Sequence, residues 1–203
     1  MKQEQLTELL YQALETEMGG QKIYKSAIQC ADNDELRSEW TKYLEETTNH
    51  EAILRELFAQ LGLDPEKESP GRKVVRMKGE ALVAANLAAL KAVGPAGAQL
   101  TAAESVVEAE TKDHQNWELI GRCAEAADKR TAQALKAAFE QVEEQEDEHL
   151  YHTMGWAREL WIQSLGLPAV IPPPEEEKKV TTAIGAARAE QSREEMLSKS
   201  SRR

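Results

Sequence analysis

Residues 36–61, LRSEWTKYLEETTNHEAILRELFAQL, decide the fold. Leu36, Trp40, Tyr43, Thr47, His50, Leu54, Leu57 and Leu61 recur at alternating spacings of four and three. That is the repeat of one helix face laid against a core, whereas a half-buried strand would alternate every second residue. Asp32-Asn33-Asp34 offers an N-cap in front of this helix, and Gly62 followed by Asp64-Pro65 ends it. The stripe has one peculiarity. His50 stands in its middle, where an apolar residue belongs.

Working outward, the same periodicity recurs. Residues about 3–30 carry Leu6, Leu10, Ala13, Tyr24 and Ala27 on one face. A loop at 63–73 contains Pro70 and Gly71, and a shorter Ala-rich helix at about 74–92 ends at Val93-Gly94-Pro95. A third long helix at about 98–126 places Leu100, Ala103, Val107, Trp117, Ile120 and Ala124 on its stripe. A fourth, at about 130–165, carries Leu135, Phe139, Val142, Glu146, His149, Thr153, Trp156 and Leu160 and stops at Gly166 and Pro168. Two helices, a long crossover with its own helix, and two more helices is a known bundle connectivity. The expected fold is therefore all-α: an up-down four-helix bundle over 1–168, with a crossover at 63–97. Residues 169–203 form a polar, flexible tail opened by Ile171-Pro172-Pro173-Pro174, in which 183–198 has helical composition but little to anchor it.

The chain repeats itself. A shift of 93 lays the first helix on the third, so that Glu15, Glu17, Tyr24, Cys30 and Ala31 fall on Glu108, Glu110, Trp117, Cys123 and Ala124, and Gln21 falls on His114. A shift of 99 lays the second helix on the fourth, with Leu36 on Leu135, Trp40 on Phe139 and His50 on His149. Each half is a helix pair that buries its apolar face against the other.

Composition narrows the function. With 25 basic against 36 acidic residues the net charge is -11, which argues against a nucleic-acid partner, since phosphates require a basic stripe. The N-terminus, Met-Lys-Gln-Glu-Gln-Leu-Thr, has no apolar core of a secretory signal. The apolar run from Ala81 to Val93 is short for a bilayer and broken by Asn86 and Lys91. A cytoplasmic protein without a membrane partner is expected, with Cys30 and Cys123 as buried free thiols. The oligomeric state is not fixed by the sequence, and a homodimer is compatible with it.

Charged groups on the core face carry the functional reading. Glu17 lies seven residues from both Leu10 and Tyr24, and Glu110 seven from both Ala103 and Trp117, so both sit on their stripes. Glu15 and Glu108, two residues earlier and about 200° around the helix, are expected to face solvent. Glu146, His149 and His50 also occupy stripe positions. Desolvated acids and imidazoles from four helices call for a cation between them. Gly19-Gly20 in mid-helix costs about 2 kcal/mol relative to alanines, which points to a close helix approach or a bulge nearby.

One Glu from each of two helices plus Glu-x-x-His from the other two is the dimetal pattern of the ferritin-like superfamily. Glu146-Asp147-Glu148-His149 is such a motif, and Glu17 and Glu110, each followed seven residues later by an aromatic, resemble the lone glutamates of rubrerythrins and bacterioferritins. The resemblance covers about residues 3–165. The second helix departs from it: Glu46-Thr47-Thr48-Asn49-His50 has Thr47 at the expected carboxylate position. Glu46, about 40° from His50 around the helix, is then expected to swing in as the ligand. His114, four residues beyond Glu110, is a candidate ligand that the pattern lacks. His152, one turn beyond His149, is expected to be a solvated or core histidine, with an outer-shell place as the alternative, and Tyr24 and Trp117 are core aromatics beside the glutamates.

The expected metal ligands are thus Glu17, Glu46, His50, Glu110, His114, Glu146 and His149, with no catalytic residue assigned. Oxygen and imidazole donors suit two iron ions, or alternatively two manganese ions, better than copper or structural zinc. The resemblance implies a diiron oxidase or peroxidase acting on Fe(II), O2 or hydrogen peroxide, in iron handling or oxidative-stress defence. A dimanganese catalase and a non-catalytic, metal-stabilised helical stress or assembly protein are the alternatives.

Overall fold

The protein was described from a computed structural model, and the residues described are 1–174. Among them every regular element is a helix: α1 (Gln3–Cys30), α2 (Asp34–Leu61), α3 (Pro70–Ala126) and α4 (Lys129–Ser164). Three of the four starts, those of α2, α3 and α4, are set by side-chain caps. Asn33 accepts from the Glu35 and Leu36 amides, Ser69 from the Arg72 amide, and Asp128 from the Arg130 and Thr131 amides. Gly62, at φ 68°, ends α2 in the left-handed conformation that glycine takes without steric cost.

Helix α3 is not one rod. Gly94 has φ 69° and ψ 179°, outside the helical region, and Pro95 follows it. Before this point the helix runs parallel to α1, with Arg72 against Glu15 and Asn86 against Ser26. After it the chain runs the other way, with Gln99 at Asp32, Asn116 at Thr16 and Trp117 at Glu17. The part at 70–93 is the crossover helix, which starts four residues before the expected 74 because Ser69 caps it and Pro70 fits its first position, so Pro70 and Gly71 are helical and not loop; the part at 95–126 is the third bundle helix. An 18-residue stretch of α3, with mean hydropathy 1.4, is long and apolar enough to cross a membrane by length and composition alone. Leu82, Val83, Ala89 and Leu90 of the crossover nevertheless pack on the core, and Asn86 is buried with its amide on the Ser26 hydroxyl.

Contacts order the helices around a ring. α1 packs on α2 and α3, and α4 packs on α3 and α2, with no close backbone approach across either diagonal. Tyr11 meets Phe58 and Tyr24 meets Tyr43, so α1 and α2 are antiparallel. Glu104 bonds Trp161 and Gly121 faces Phe139, so the later part of α3 and α4 are too.

The apolar interior is divided into two. One cluster is built on Ile23, Tyr24, Trp40, Tyr43, Ala102, Val106 and Trp156. The other is built on Leu6, Leu10, Leu54, Phe58, Trp117, Ile120, Leu135 and Val142. Each fully buried large apolar side chain is worth about 1.5–3 kcal/mol. Between the clusters, at one level on all four helices, lie Glu17, His50, Glu110, Glu146 and His149, all buried. The polar layer is a slice through the core, not an excursion from it.

Two expectations are corrected here. Glu15 does not face solvent: it is 2% exposed because the crossover covers that side of α1 and brings Arg72 Nε to 2.7 Å and Arg76 Nε to 2.8 Å from its oxygens. Glu108 is exposed as expected. Of the two free thiols Cys30 is buried, whereas Cys123 is only half-buried. The expected helix at 183–198 lies outside the described residues.

Candidate metal centre

Each helix delivers its polar group by register. Glu17 and Glu110 occupy the stripe positions on α1 and α3 that leucine or alanine takes a turn or two away, and His50, Glu146 and His149 do so on α2 and α4. Their donor atoms form two groups that share one residue: Glu17, His50 and Glu146, and Glu110, Glu146 and His149. Within each group one ligand atom per residue lies within 4.8 Å of the others. That spacing allows one cation to touch all three.

Both imidazoles present Nδ1 to this centre. His50 Nδ1 is 2.9 Å from Glu146 and 3.8 Å from Glu17. His149 Nδ1 is 3.7 Å from Glu110 and 3.9 Å from Glu146. The outer nitrogens are held elsewhere: His50 Nε2 by Gln145 Oε1 at 2.7 Å, and His149 Nε2 by Glu46 Oε2 at 2.9 Å. An outer bond of this kind fixes the ring, so that Nδ1 is the nitrogen turned to the centre. Gln145 also donates to Glu46 at 3.2 Å, so the two outer partners are themselves joined.

The shift of 99 that pairs His50 with His149 also pairs Glu46 with Gln145 and Thr47 with Glu146. Each outer group therefore supports the histidine of the opposite half. Glu46, expected as an inward ligand, is placed at the back of His149 and belongs to neither donor group. His114 is placed apart as well, a quarter exposed, with Nδ1 3.3 Å from Asp147 and its ring edge-on to Tyr151. His152 lies outside both groups, 2.9 Å from Glu39.

Sequence reading missed Asp113. It is 3% exposed and its Oδ1 has no hydrogen-bond partner. It stands one turn beyond Glu110 on the same face, a spacing of three that could have revealed it. Asp113 brings the buried carboxylates of the layer to four: Glu17, Glu110, Asp113 and Glu146. Its counterpart under the shift of 93 is Gly20. A Cβ on Gly20 would meet the Thr47 methyl at 3.3 Å, so the half without these two acids is filled by close helix contact. Gly79 and Gly19 similarly let the crossover approach α1, and α1 remains regular through Gly19-Gly20.

The electrostatics follow from burial. Burial raises Glu17 well above the usual carboxyl range, helped by Asp113 and Glu146, while the Trp117 indole N–H, 2.8 Å from Oε1, opposes the rise. Burial also raises Asp113 and Glu146, and the neighbouring carboxylates add to it. His50 is pushed down to about 4 by burial. Burial opposes charge on His149 too, but Glu110 and Glu46 outweigh it and lift the group to about 10. Without a cation, protons must neutralise the layer.

The unmatched atoms define what fits. Glu17 Oε2, Glu110 Oε2, Asp113 Oδ1, Glu146 Oε2 and both Nδ1 atoms are buried without hydrogen-bond partners. Unsatisfied buried acceptors are costly, and a set composed of carboxylate oxygens and imidazole nitrogens is complementary to a metal ion. Comparisons with protein-family models, with curated proteins and with solved structures find no match to this chain.

Proposed function

We propose that this chain is a dimetal protein of the ferritin-like kind that binds two iron ions and acts as an oxidase or peroxidase on Fe(II), O2 or hydrogen peroxide. The observation that carries the reading is the pair of three-residue donor groups sharing Glu146, with both histidine Nδ1 atoms unmatched in a sealed core. Glu17, His50 and Glu146 would hold one ion, and Glu110, Glu146 and His149 the other. Asp113 supplies the fourth acid that Thr47 does not.

Bound there, a pair of iron ions supplies exchangeable electrons for the reduction of O2 or peroxide. The chain's own part is positional. Trp117 Nε1 holds Glu17 by Oε1, which is also 3.8 Å from His50 Nδ1, and leaves Oε2 without a partner. Gln145 and Glu46 lock the two imidazoles with Nδ1 inward. The apolar clusters on either side exclude water, so the donors cannot satisfy themselves with solvent.

Metal analysis of the purified protein, followed by anaerobic Fe(II) loading and exposure to air, tests the reading. The expected result is about two iron ions per chain, as in the dimetal carboxylate bundles, and a near-ultraviolet oxo-ferric absorption on oxidation. Rapid oxygen evolution from peroxide by a manganese-loaded sample would move the assignment to a catalase. Binding without either reactivity would leave a structural role for the metal.

A further inference from the structure

The crossover helix carries a second apolar stripe on the side turned away from the bundle. Val74, Met77, Ala81, Ala84 and Ala88 recur at spacings of three and four, the pattern that elsewhere in the chain lies against a neighbouring helix. All five are exposed, Val74 by 52% and Met77 by 69%. The bundle is packed by the opposite side, through Leu82, Val83, Ala89 and Leu90 and the buried Asn86. Only 11% of the apolar 18-residue stretch of α3 is buried in this chain, so its hydropathy is not that of a core helix.

Size and charge decide what fits. From Val74 to Ala92 the helix offers a strip about 27 Å long, smooth because its centre is alanine. Small side chains let a second helix come close along the whole strip, whereas a helix lying in a membrane surface uses Trp, Phe and Leu. No aromatic residue stands between Phe58 and Trp117. On one flank of the strip lie Glu80 and Lys91, eleven residues apart and therefore within about 20° of each other around the helix. Both are exposed. In an antiparallel pair of identical helices each flank meets itself, end for end. With the two-fold axis between Ala84 and Ala85, Ala81 faces Ala88 of the second copy and Met77 faces its Ala92. Glu80 then lies about 3 Å along the helix from Lys91 of the second copy, and symmetry repeats the pair at the other end. Unlike charges at the two ends of one flank make the strip complementary to its own reverse.

We infer that the outer face of the crossover is a docking surface for a second copy of this chain, paired crossover to crossover in an antiparallel two-fold dimer. The inference does not depend on the metal reading. One helix face is small for a specific interface, so the dimer exchanges with monomer at micromolar concentrations.

Sedimentation velocity of the full chain, from about 1 to 100 µM, measures the association, with flotation on vesicles of mixed anionic and neutral phospholipid beside it. The expected wild type passes from monomer to dimer across this range and does not float. Ala84→Glu sets two acids beside the two-fold axis. Glutamate is a good helix former at an exposed position, so the circular dichroism and melting of this variant stay unchanged while its dimer is lost. Lys91→Glu places like charges at both ends and weakens association about tenfold, and adding Glu80→Lys to it restores the wild-type affinity. That rescue separates a reversed strip from any other contact between copies. A wild type that stays monomeric overturns the proposal. So does a dimer that survives Ala84→Glu, or a double variant that associates no better than Lys91→Glu alone. Flotation of a monomeric wild type overturns it in favour of a lipid surface.

Discussion

At the residue scale, Glu146 holds the centre together because both donor groups include it. Replacement by glutamine keeps the volume and removes the charge that two cations would share. The Glu146→Gln protein is expected to lose uptake of both ions, whereas Glu17→Gln, which touches one group only, is expected to lose one; plasma emission analysis after dialysis separates the two outcomes. Glu46 acts from behind. Its carboxylate on His149 Nε2 makes that imidazole a stronger donor, and Glu46→Gln is expected to weaken metal binding about tenfold without reducing the ion count, in the range seen when outer-shell partners are removed. Competition with a chelator measures it, and an unchanged affinity would contradict the placement of Glu46. The sequence made Glu17, His50, Glu110, Glu146 and His149 legible because helical register alone puts a residue on the core face. It did not separate an inward ligand from an outer partner. Glu46 and His50 differ by only about 40° around α2, and the sign of that difference depends on where α4 lies.

At the element scale, the helix starts and stops were readable because caps and glycines act locally. The crossover helix and its end at Gly94 came from the same signals. What the crossover covers was not readable, since packing of 70–93 on α1 is a long-range contact. Glu15 shows the consequence. Its position, about 200° from Glu17, marks it as solvated only if nothing lies outside α1. In the folded chain Arg72 and Arg76 clamp it, and Arg72 is itself 2% exposed. Burial alone would raise Glu15, but the hydrogen bonds from Arg76 and Arg72 outweigh it and hold the group below its usual value. A carboxyl depressed in the folded state adds stability above its unfolded pKa, and that stability is lost as pH falls through the folded value. Glu15→Gln is expected to cost about 3 kcal/mol at neutral pH, as when one partner of a buried pair is removed. The deficit should shrink below about pH 4, where the wild-type group also takes up a proton. Urea unfolding of both proteins at the two pH values decides it: a constant deficit would mean that shape, not charge, matters at this position.

At the scale of the whole molecule, the bundle trades an uninterrupted apolar core for a polar slice, and the state of that slice should govern overall stability. Glu17, Asp113 and Glu146 are raised by burial, and His149 is lifted to about 10. All four bind protons more tightly folded than unfolded, so the metal-free protein holds more protons than its unfolded chain at neutral pH. Stability must then fall as pH rises above the unfolded values. His50, pushed down to about 4, works in the opposite sense, but only below its ordinary value near 6.5. Between about pH 6.5 and 9 the raised groups therefore act alone among these five, and metal-free protein is expected to lose thermal stability steadily. A bound cation replaces the protons and cancels their dependence, since ligation requires deprotonated donors. Calorimetric scans of chelator-treated and Mn(II)-loaded protein across this window should diverge with rising pH, and loading at pH 8 in weak buffer should acidify the solution. Parallel curves with no proton release would mean that the layer carries no such protons and that metal does not displace them.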